Sequence, residues 1–451
     1  MMLARAWIFI AVVLSCRLYA SDHADPMELL NRQRQEGAIT DLFCFPVFAD
    51  ETPAYPFVRE AKLPLHNSLV DIVRTPLSDE QRSKIDSLVF IMCMRRQLTD
   101  STMLQLEPYT YTIHIDVDST LSFPTEQDLA LEKNPQKHLA VPAMEHRHHG
   151  DDAALGVVEA FARYGGKIKE PAGIREDIAI EFKLDNSAAL RGLPAYSGVA
   201  ASAWKSDHRI KAVAGVFDDP FIFPAFFGTN VVAFAIRVPA DLFPPDKTDF
   251  LIWGTSRKGR TPIDHVGRSL RTQNPRFEIL NKLHPSKHVK TLLNERDHPS
   301  LFRDIAVQVN LASLYAFREW DFVPDVMCFS LRYPVGFPNG RLLTDDVAAI
   351  LALHGDTLLY ELSYQSPMGG WPRQATNDRS AAADAPGVFN VKFPYLLAPG
   401  ENRPQPLPRR LTTESVMKLV GIVLLILVIL AITHLAFAQF YYRLKLRKRY
   451  L

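Results

Sequence analysis

A series of short apolar runs, each closed by turn-forming or charged residues, sets the tightest limit on what this chain can fold into. Residues 39–45 (ITDLFCF), 87–94 (SLVFIMCM), 210–217 (IKAVAGVF), 230–239 (NVVAFAIRVP) and 250–256 (FLIWGTS) are rich in β-branched and aromatic side chains. Runs of that length and make-up fit buried strands, although for the first two periodicity alone leaves a short buried helix open. Residues 109–115 (YTYTIHI) and 177–184 (DIAIEFKL) alternate apolar and polar positions, as a half-buried strand does. The 32 prolines, 27 phenylalanines and 14 tyrosines suit a loop-rich β protein better than a helical bundle. The expectation is a mainly β body resembling a β-sandwich.

From residue 275 to 320 the period changes, and the leucine spacing predicts helical insertions. Residues 336–350 (GFPNGRLLTDDVAAI) then combine a Pro-Asn-Gly turn, the basic Arg341, and Thr344 as a helix N-cap ahead of Asp345 and Asp346. Asn and Gly tolerate positive φ, and acids in a first turn favour the helix dipole. The plain reading of the acids is a helix start. The alternative is a polar site.

The ends are informative. Residues 1–20 carry Arg5, an apolar stretch over 7–14 and a Leu-Tyr-Ala ending, the pattern of a secretory signal peptide cut after Ala20. Cys16 offers a lipoprotein box as the lesser option, with Arg17 in an unsuitable position. Residues 419–438 are apolar for long enough to cross a hydrocarbon core of roughly 30 Å, interrupted by Thr433 and His434. Arg443, Lys445, Arg447, Lys448 and Arg449 follow, and the positive-inside rule places them in the cytoplasm. The expected organisation is a signal peptide (1–20), an exported body (21–398), a proline-rich tether (399–415), a transmembrane helix (416–440) and a basic cytoplasmic tail (441–451). The body would stand on the periplasmic or extracellular side of the inner membrane. With a formal net charge of +1 and no basic stripe, nothing argues for nucleic acid as a partner.

Signal removal leaves Cys44, Cys93 and Cys328, all in apolar surroundings. An odd count leaves at least one thiol outside any internal disulfide. Buried inert thiols are expected, with a Cys44–Cys93 bridge as the alternative.

Several polar groupings are candidates for chemistry. A mature start at Ser21 puts His23 third, where a free amine and imidazole bind copper(II) or nickel(II); otherwise His23 tucks in beside Asp22 or Asp25. His114, Asp116 and Asp118 share one strand face, and hard cations favour clustered carboxylates. The loop after them lacks the further acids and Gly of a calcium loop. Residues 145–152 (EHRHHGDD) are densely polar without metalloprotease spacing. Asp218 and Asp219 close a strand ahead of Pro220 and two aromatics, either as a turn or as a carboxylate pair at a pocket rim. Residues 257–260 (RKGR), followed by Asp264, His265 and Arg268, are expected to form a solvated basic turn. Nucleophile elbow, P-loop, dinucleotide fingerprint and Cys-x-x-Cys are all absent from the sequence.

Taken in order, SDHADP, ITDLFCF, YTIHIDVD, VFDDPFIFP, NVVAFAIRVP, WGTSRKG with DHVGR, and GFPNGRLLTDDVAAI resemble the bacterial domain-of-unknown-function family 4331. The resemblance covers most of residues 21–396. The Asp-x-Asp segment departs from it in lacking a Gly-Asp-Gly continuation, and the C-terminal apolar run is an addition. It implies a shared polar site or a shared structural clasp among His23, Asp25, Asp116, Asp218, Asp219, Asn339, Arg341, Asp345 and Asp346, and it implies no reaction.

Together these readings suggest a membrane-anchored, exported ligand- or metal-binding protein with envelope proteins as partners. Asp218, Asp219, Asn339, Arg341, Asp345 and Asp346 would take ligand, and His23, Asp25, His114, Asp116 and Asp118 would take a divalent metal. A metal-dependent envelope enzyme and a structural envelope module are the alternatives.

Overall fold

The computed structural model describes residues 37–53, 76–96, 104–119, 121–122, 167–220, 230–269, 271, 275–308, 315–317, 321–343, 345, 347, 390, 392–399, 430, 433–434 and 437. The signal peptide, His23, Asp25, the 145–152 cluster, Thr344, Asp346 and the basic tail lie outside these residues. The chain divides into two compact units, Met1–Arg403 and Pro404–Leu451. In the second, Leu430, Thr433, His434 and Phe437 are helical. Among the described residues no helix is long and apolar enough to cross a membrane.

The strands of the first unit are β1 (Ile39–Phe48), β2 (Ile85–Arg96), β3 (Tyr109–Asp116), β4 (Leu121–Ser122), β5 (Lys167–Ile168), β6 (Ile178–Phe182), β7 (Ala195–Gly198), β8 (Lys211–Asp218), β9 (Asn230–Pro239), β10 (Asp249–Lys258), β11 (Thr261–Val266) and β12 (Met327–Ser330). One sheet runs β1-β2-β9-β8. The other runs β11-β10-β3-β6-β7, with β12 also paired to β10, and β4 and β5 pair separately. Every one of these pairings is antiparallel.

The two main sheets share one core, in which Phe182 stacks on Phe234 across the interface with ring centroids 3.9 Å apart. β9 is buried at every position, and its sequence is apolar but for Asn230 and Arg237. A Cβ on Gly254 would stand 2.5 Å from Met92 Cε, so the glycine lets β10 approach the facing sheet. Cys44, Cys93 and Cys328 are buried free thiols, as their surroundings predict. Register explains the missing bridge: Cys44 lies opposite Phe90, whereas Cys93 lies opposite Asp41.

β10 holds the second sheet together. It pairs with β3 along one side; along the other, β11 takes its C-terminal half and β12 its N-terminal half. The outer face of this sheet is covered in its turn. Leu251 and Trp253 pack with Leu121, Ile168, Ile174, Val326 and Cys328. Beyond them lies the expected helical insertion, a 3-10 segment (Pro275–Leu280) followed by helices at His288–Asp297 and Leu301–Gln308.

The solvated basic turn needs correction. Lys258, Gly259 and Arg260 are exposed, but Asp264, His265 and Arg268 are buried. β11 folds straight back onto β10, which carries these residues into the sheet, and Asp264 Oδ2 accepts the Ile39 N–H at 2.9 Å.

Candidate functional site

The Pro-Asn-Gly-Arg box is a clasp. Asn339 is fully buried; its Nδ2 lies within 3.2 Å of the Ser330, Tyr333 and Pro334 carbonyls, and its Oδ1 accepts the Ser330 N–H at 2.7 Å. Gly340, at φ +68°, lies so close to β1 that a Cβ there would stand 2.7 Å from the Cys44 carbonyl. The Arg341 N–H then donates to that carbonyl at 3.0 Å, which closes the edge of β1. The Arg341 guanidinium is buried over the Phe43 ring at 4.2 Å and reaches Asp41 Oδ1 with both Nη atoms at 3.3 Å. Asp345 Oδ2 accepts the N–H groups of Phe337 and Leu342, at 2.7 and 2.8 Å. The cavity beside the box, lined in part by Arg268, Cys328, Phe337 and Arg341, measures about 10 Å³, room for a water and no organic ligand. Asn339, Arg341 and Asp345 are thus committed to holding backbone and strand edge. Asp219 is buried, and the Asp218 N–H donates to the Leu397 carbonyl at 3.1 Å.

The Asp-x-Asp end of β3 is saturated in a similar way. Asp116 is buried and accepts from the Asp118, Ser119 and Arg175 N–H groups and from the Ser119 hydroxyl. Asp118 pairs with Arg175 and Lys247, each at 2.9 Å; hydrogen bonds from Lys247 and then Arg175 hold its carboxyl below the usual range. Among the described residues no group of three His, Cys, Asp or Glu is arranged to hold a metal ion. The carboxylate cluster that a cation would need is occupied by N–H donors.

His114 has different company. Register sets it opposite Trp253 and sets Thr112 opposite Thr255, so strand alternation brings His114, Trp253 and Thr255 to the outer face of the second sheet. The imidazole lies flat on the Trp253 indole, with centroids 5.1 Å apart and planes at 9°. Its Nδ1 bonds Glu176 Oε2, and its Nε2 lies 2.7 Å from Thr255 Oγ1. The hydrogen bond from His114 holds the Glu176 carboxyl below its ordinary range, against the push of burial. An ionised Glu176 can only accept, so the neutral ring carries its proton on Nδ1 and offers the Nε2 lone pair to the Thr255 hydroxyl.

His284 stands edge-on to Trp253, with centroids 5.7 Å apart. Its Nδ1 accepts the Ser286 N–H at 3.3 Å and lies 2.8 Å from Ser286 Oγ, which places the proton of the neutral ring on Nε2. Burial, then the nearby His114 charge, lowers its pKa. The cluster meets solvent at its Glu176 end, where that side chain is 49% exposed; the His114 side chain is 14% exposed and Trp253 is buried. Chemically, it can accept a hydroxyl proton onto a ring whose far nitrogen is held by a carboxylate.

A buried network adjoins it through β11. His265 lies opposite Thr255 in register and donates from Nε2 to the Asp325 carbonyl at 2.8 Å. The Asp325 N–H donates to His288 Nδ1 at 3.0 Å, and His288 Nε2 bonds the Leu283 carbonyl at 3.0 Å. Burial, then His265, pushes the His288 pKa down to about 3, so the ring is neutral. Arg271 reaches the carbonyls of Asp321, Val323 and Pro324. These bonds fasten the helical insertion to the outer face of the sheet.

Among the described residues, His114 is the one sequence candidate in this cluster, and nothing in the sequence singles out Glu176, Thr255, His284 or Ser286 as its partners. Alternation had already put His114 on a face. Its partners come from other strands and turns, 62 residues away for Glu176 and 141 for Thr255, and only sheet order brings them together. Compared with family models, curated proteins and solved structures, the chain shows no match in any of the three.

Proposed function

We propose that this chain is an exported, membrane-tethered ligand-binding protein of the cell envelope, taking its ligand on the outer face of the second sheet. The signal-peptide pattern, the apolar run over 419–438 and the basic residues beyond it support the location. One observation carries the choice of site. The side chains of Glu176, His114 and Thr255 are bonded in series from a half-exposed carboxylate inward, while those of Asn339, Asp345 and Asp116 are spent on backbone groups. Polar groups that converge beside an aromatic ring are the usual means by which a site orients a small molecule.

The test is native mass spectrometry of the full chain released gently from its own membranes. A retained small-molecule mass, lost in His114→Ala with the thermal midpoint kept, is the expected result. Protein that carries no adduct, or an adduct that survives His114→Ala, overturns this site. Metal analysis of the same sample decides whether residues around His23 add a metal to this function.

A further inference from the structure

We propose that Thr255 is a nucleophile, with His114 as its general base and Glu176 as the residue positioning that base, and that this face transfers acyl groups from small esters. The proposal rests on the outer face being the ligand site, and adds a reaction to it.

Three observations converge. The hydroxyl, imidazole and carboxylate are joined in sequence: Thr255 Oγ1 is 2.7 Å from His114 Nε2, and His114 Nδ1 is bonded to Glu176 Oε2. That is the arrangement by which a base within hydrogen-bond reach activates a hydroxyl and is itself held by a third group. The ring is also fixed in orientation, because it lies flat on the buried Trp253 indole rather than turning in solvent. Finally, the three groups lie at a partly open surface, and none of their linking bonds serves a helix cap or a sheet edge. His284, with its ring 5.7 Å from Trp253 and near-perpendicular to it, adds an Nε2–H bonded to no other described residue. In this proposal that N–H is the donor that meets negative charge on the carbonyl oxygen as it develops.

The balanced step is direct. Thr255 Oγ attacks the ester carbonyl while its proton passes to His114 Nε2, and Glu176 stabilises the imidazolium. The tetrahedral intermediate collapses, the alcohol leaves with the proton from His114, and an acyl-Thr255 ester remains. Water then attacks that ester, giving a proton to His114, which passes it to the departing Thr255 Oγ; the carboxylic acid is released and the Thr255 hydroxyl and neutral His114 are restored. No oxidant, metal or second cofactor enters.

The test uses the full chain in detergent with a fluorophosphonate probe, which loses fluoride as it phosphonylates an activated hydroxyl, and with p-nitrophenyl acetate as substrate. Peptide mapping is expected to place the phosphonate on Thr255. Labelling should vanish in Thr255→Ala, persist in Thr255→Ser, and fall at least tenfold in Glu176→Gln, all with unchanged thermal midpoints. The pH profile of labelling in the unmodified chain should be altered in Glu176→Gln, an effect no purely structural carboxylate would produce. Absence of label, label on another residue, or label surviving Thr255→Ala overturns the proposal. A small molecule retained by the unlabelled protein would leave the binding function standing while the nucleophile falls.

Discussion

The clasp and the outer face use much the same polar side chains to opposite ends. At the clasp, Asn339 and Asp345 turn inward to backbone groups, and Arg341 is sealed between Phe43 and Asp41. On the outer face, Glu176, His114 and Thr255 bond each other and remain reachable from solvent. A buried amide or carboxylate that satisfies several N–H groups adds rigidity and leaves no valence for a ligand. A relay that bonds side chain to side chain can exchange one of those bonds for an incoming molecule without unfastening the backbone. If that contrast is right, substitutions in the two regions must separate stability from binding.

The sharpest way to break it is Arg341→Ala. The change leaves the fully buried Asp41 carboxylate without its guanidinium and removes the cation from the Phe43 face. Breaking one side of a buried pair costs about 3–5 kcal/mol. Chemical denaturation should therefore show a large loss of stability in Arg341→Ala, while Thr255→Ala stays close to the parent. Comparable losses at both positions would erase the distinction between the clasp and the outer face.

The buried histidine next to the outer face gives a second handle, through pH. His288 is neutral in the fold with a pKa of about 3, below the ordinary value of 6.5 for the unfolded chain. Its stabilising contribution is full above 6.5. As pH falls from 6.5 towards 3 the unfolded chain takes up the proton first, and stability drops by up to about 1.4 kcal/mol per pH unit. The groups facing it are His265, Asp325 and Arg271; against the push of burial, His265 and Arg271 hold the Asp325 carboxyl below its ordinary value. Urea unfolding from pH 7.5 to 4.5 should show this slope, and His288→Gln should flatten it while lowering stability at pH 7.5. A slope unchanged in His288→Gln would assign the acid sensitivity to another group.

How far the sequence reveals this division depends on range. The strands were legible because apolar period and length are local properties: residues 230–239 form β9 as read, and 109–115 form most of β3. The Pro-Asn-Gly-Arg box was legible as a distinctive segment, but burial decides between clasp and site, and burial is set by the β1 edge some 300 residues earlier in the chain. Asp264 and His265 were misread as solvated because a basic turn precedes them; the return strand that buries them follows from pairing with β10. The outer cluster was the least visible part. His114 shows its face through alternation, but Thr255 has no local signal that a base will be set beside it.

The smallest expected effect lies at the boundary between the two regions, where β3 ends. Asp116 and Asp118 are two residues apart, but the strand ends at Asp116: Asp116 is buried under four donors, and the Asp118 side chain, in the bend beyond, is 46% exposed and paired with Arg175 and Lys247. Exposed pairs are screened by water and salt and must fix long side chains to form, so their net value is small. Asp118→Ala should then change stability by no more than about 0.5 kcal/mol, with little dependence on ionic strength between dilute buffer and 0.5 M salt. The opposite finding would be instructive. A large loss at Asp118, with protection restored by added calcium, would mean that the carboxylates at the end of β3 hold a cation after all, and the divide between structural and ligand-facing acids would have to be redrawn on this strand.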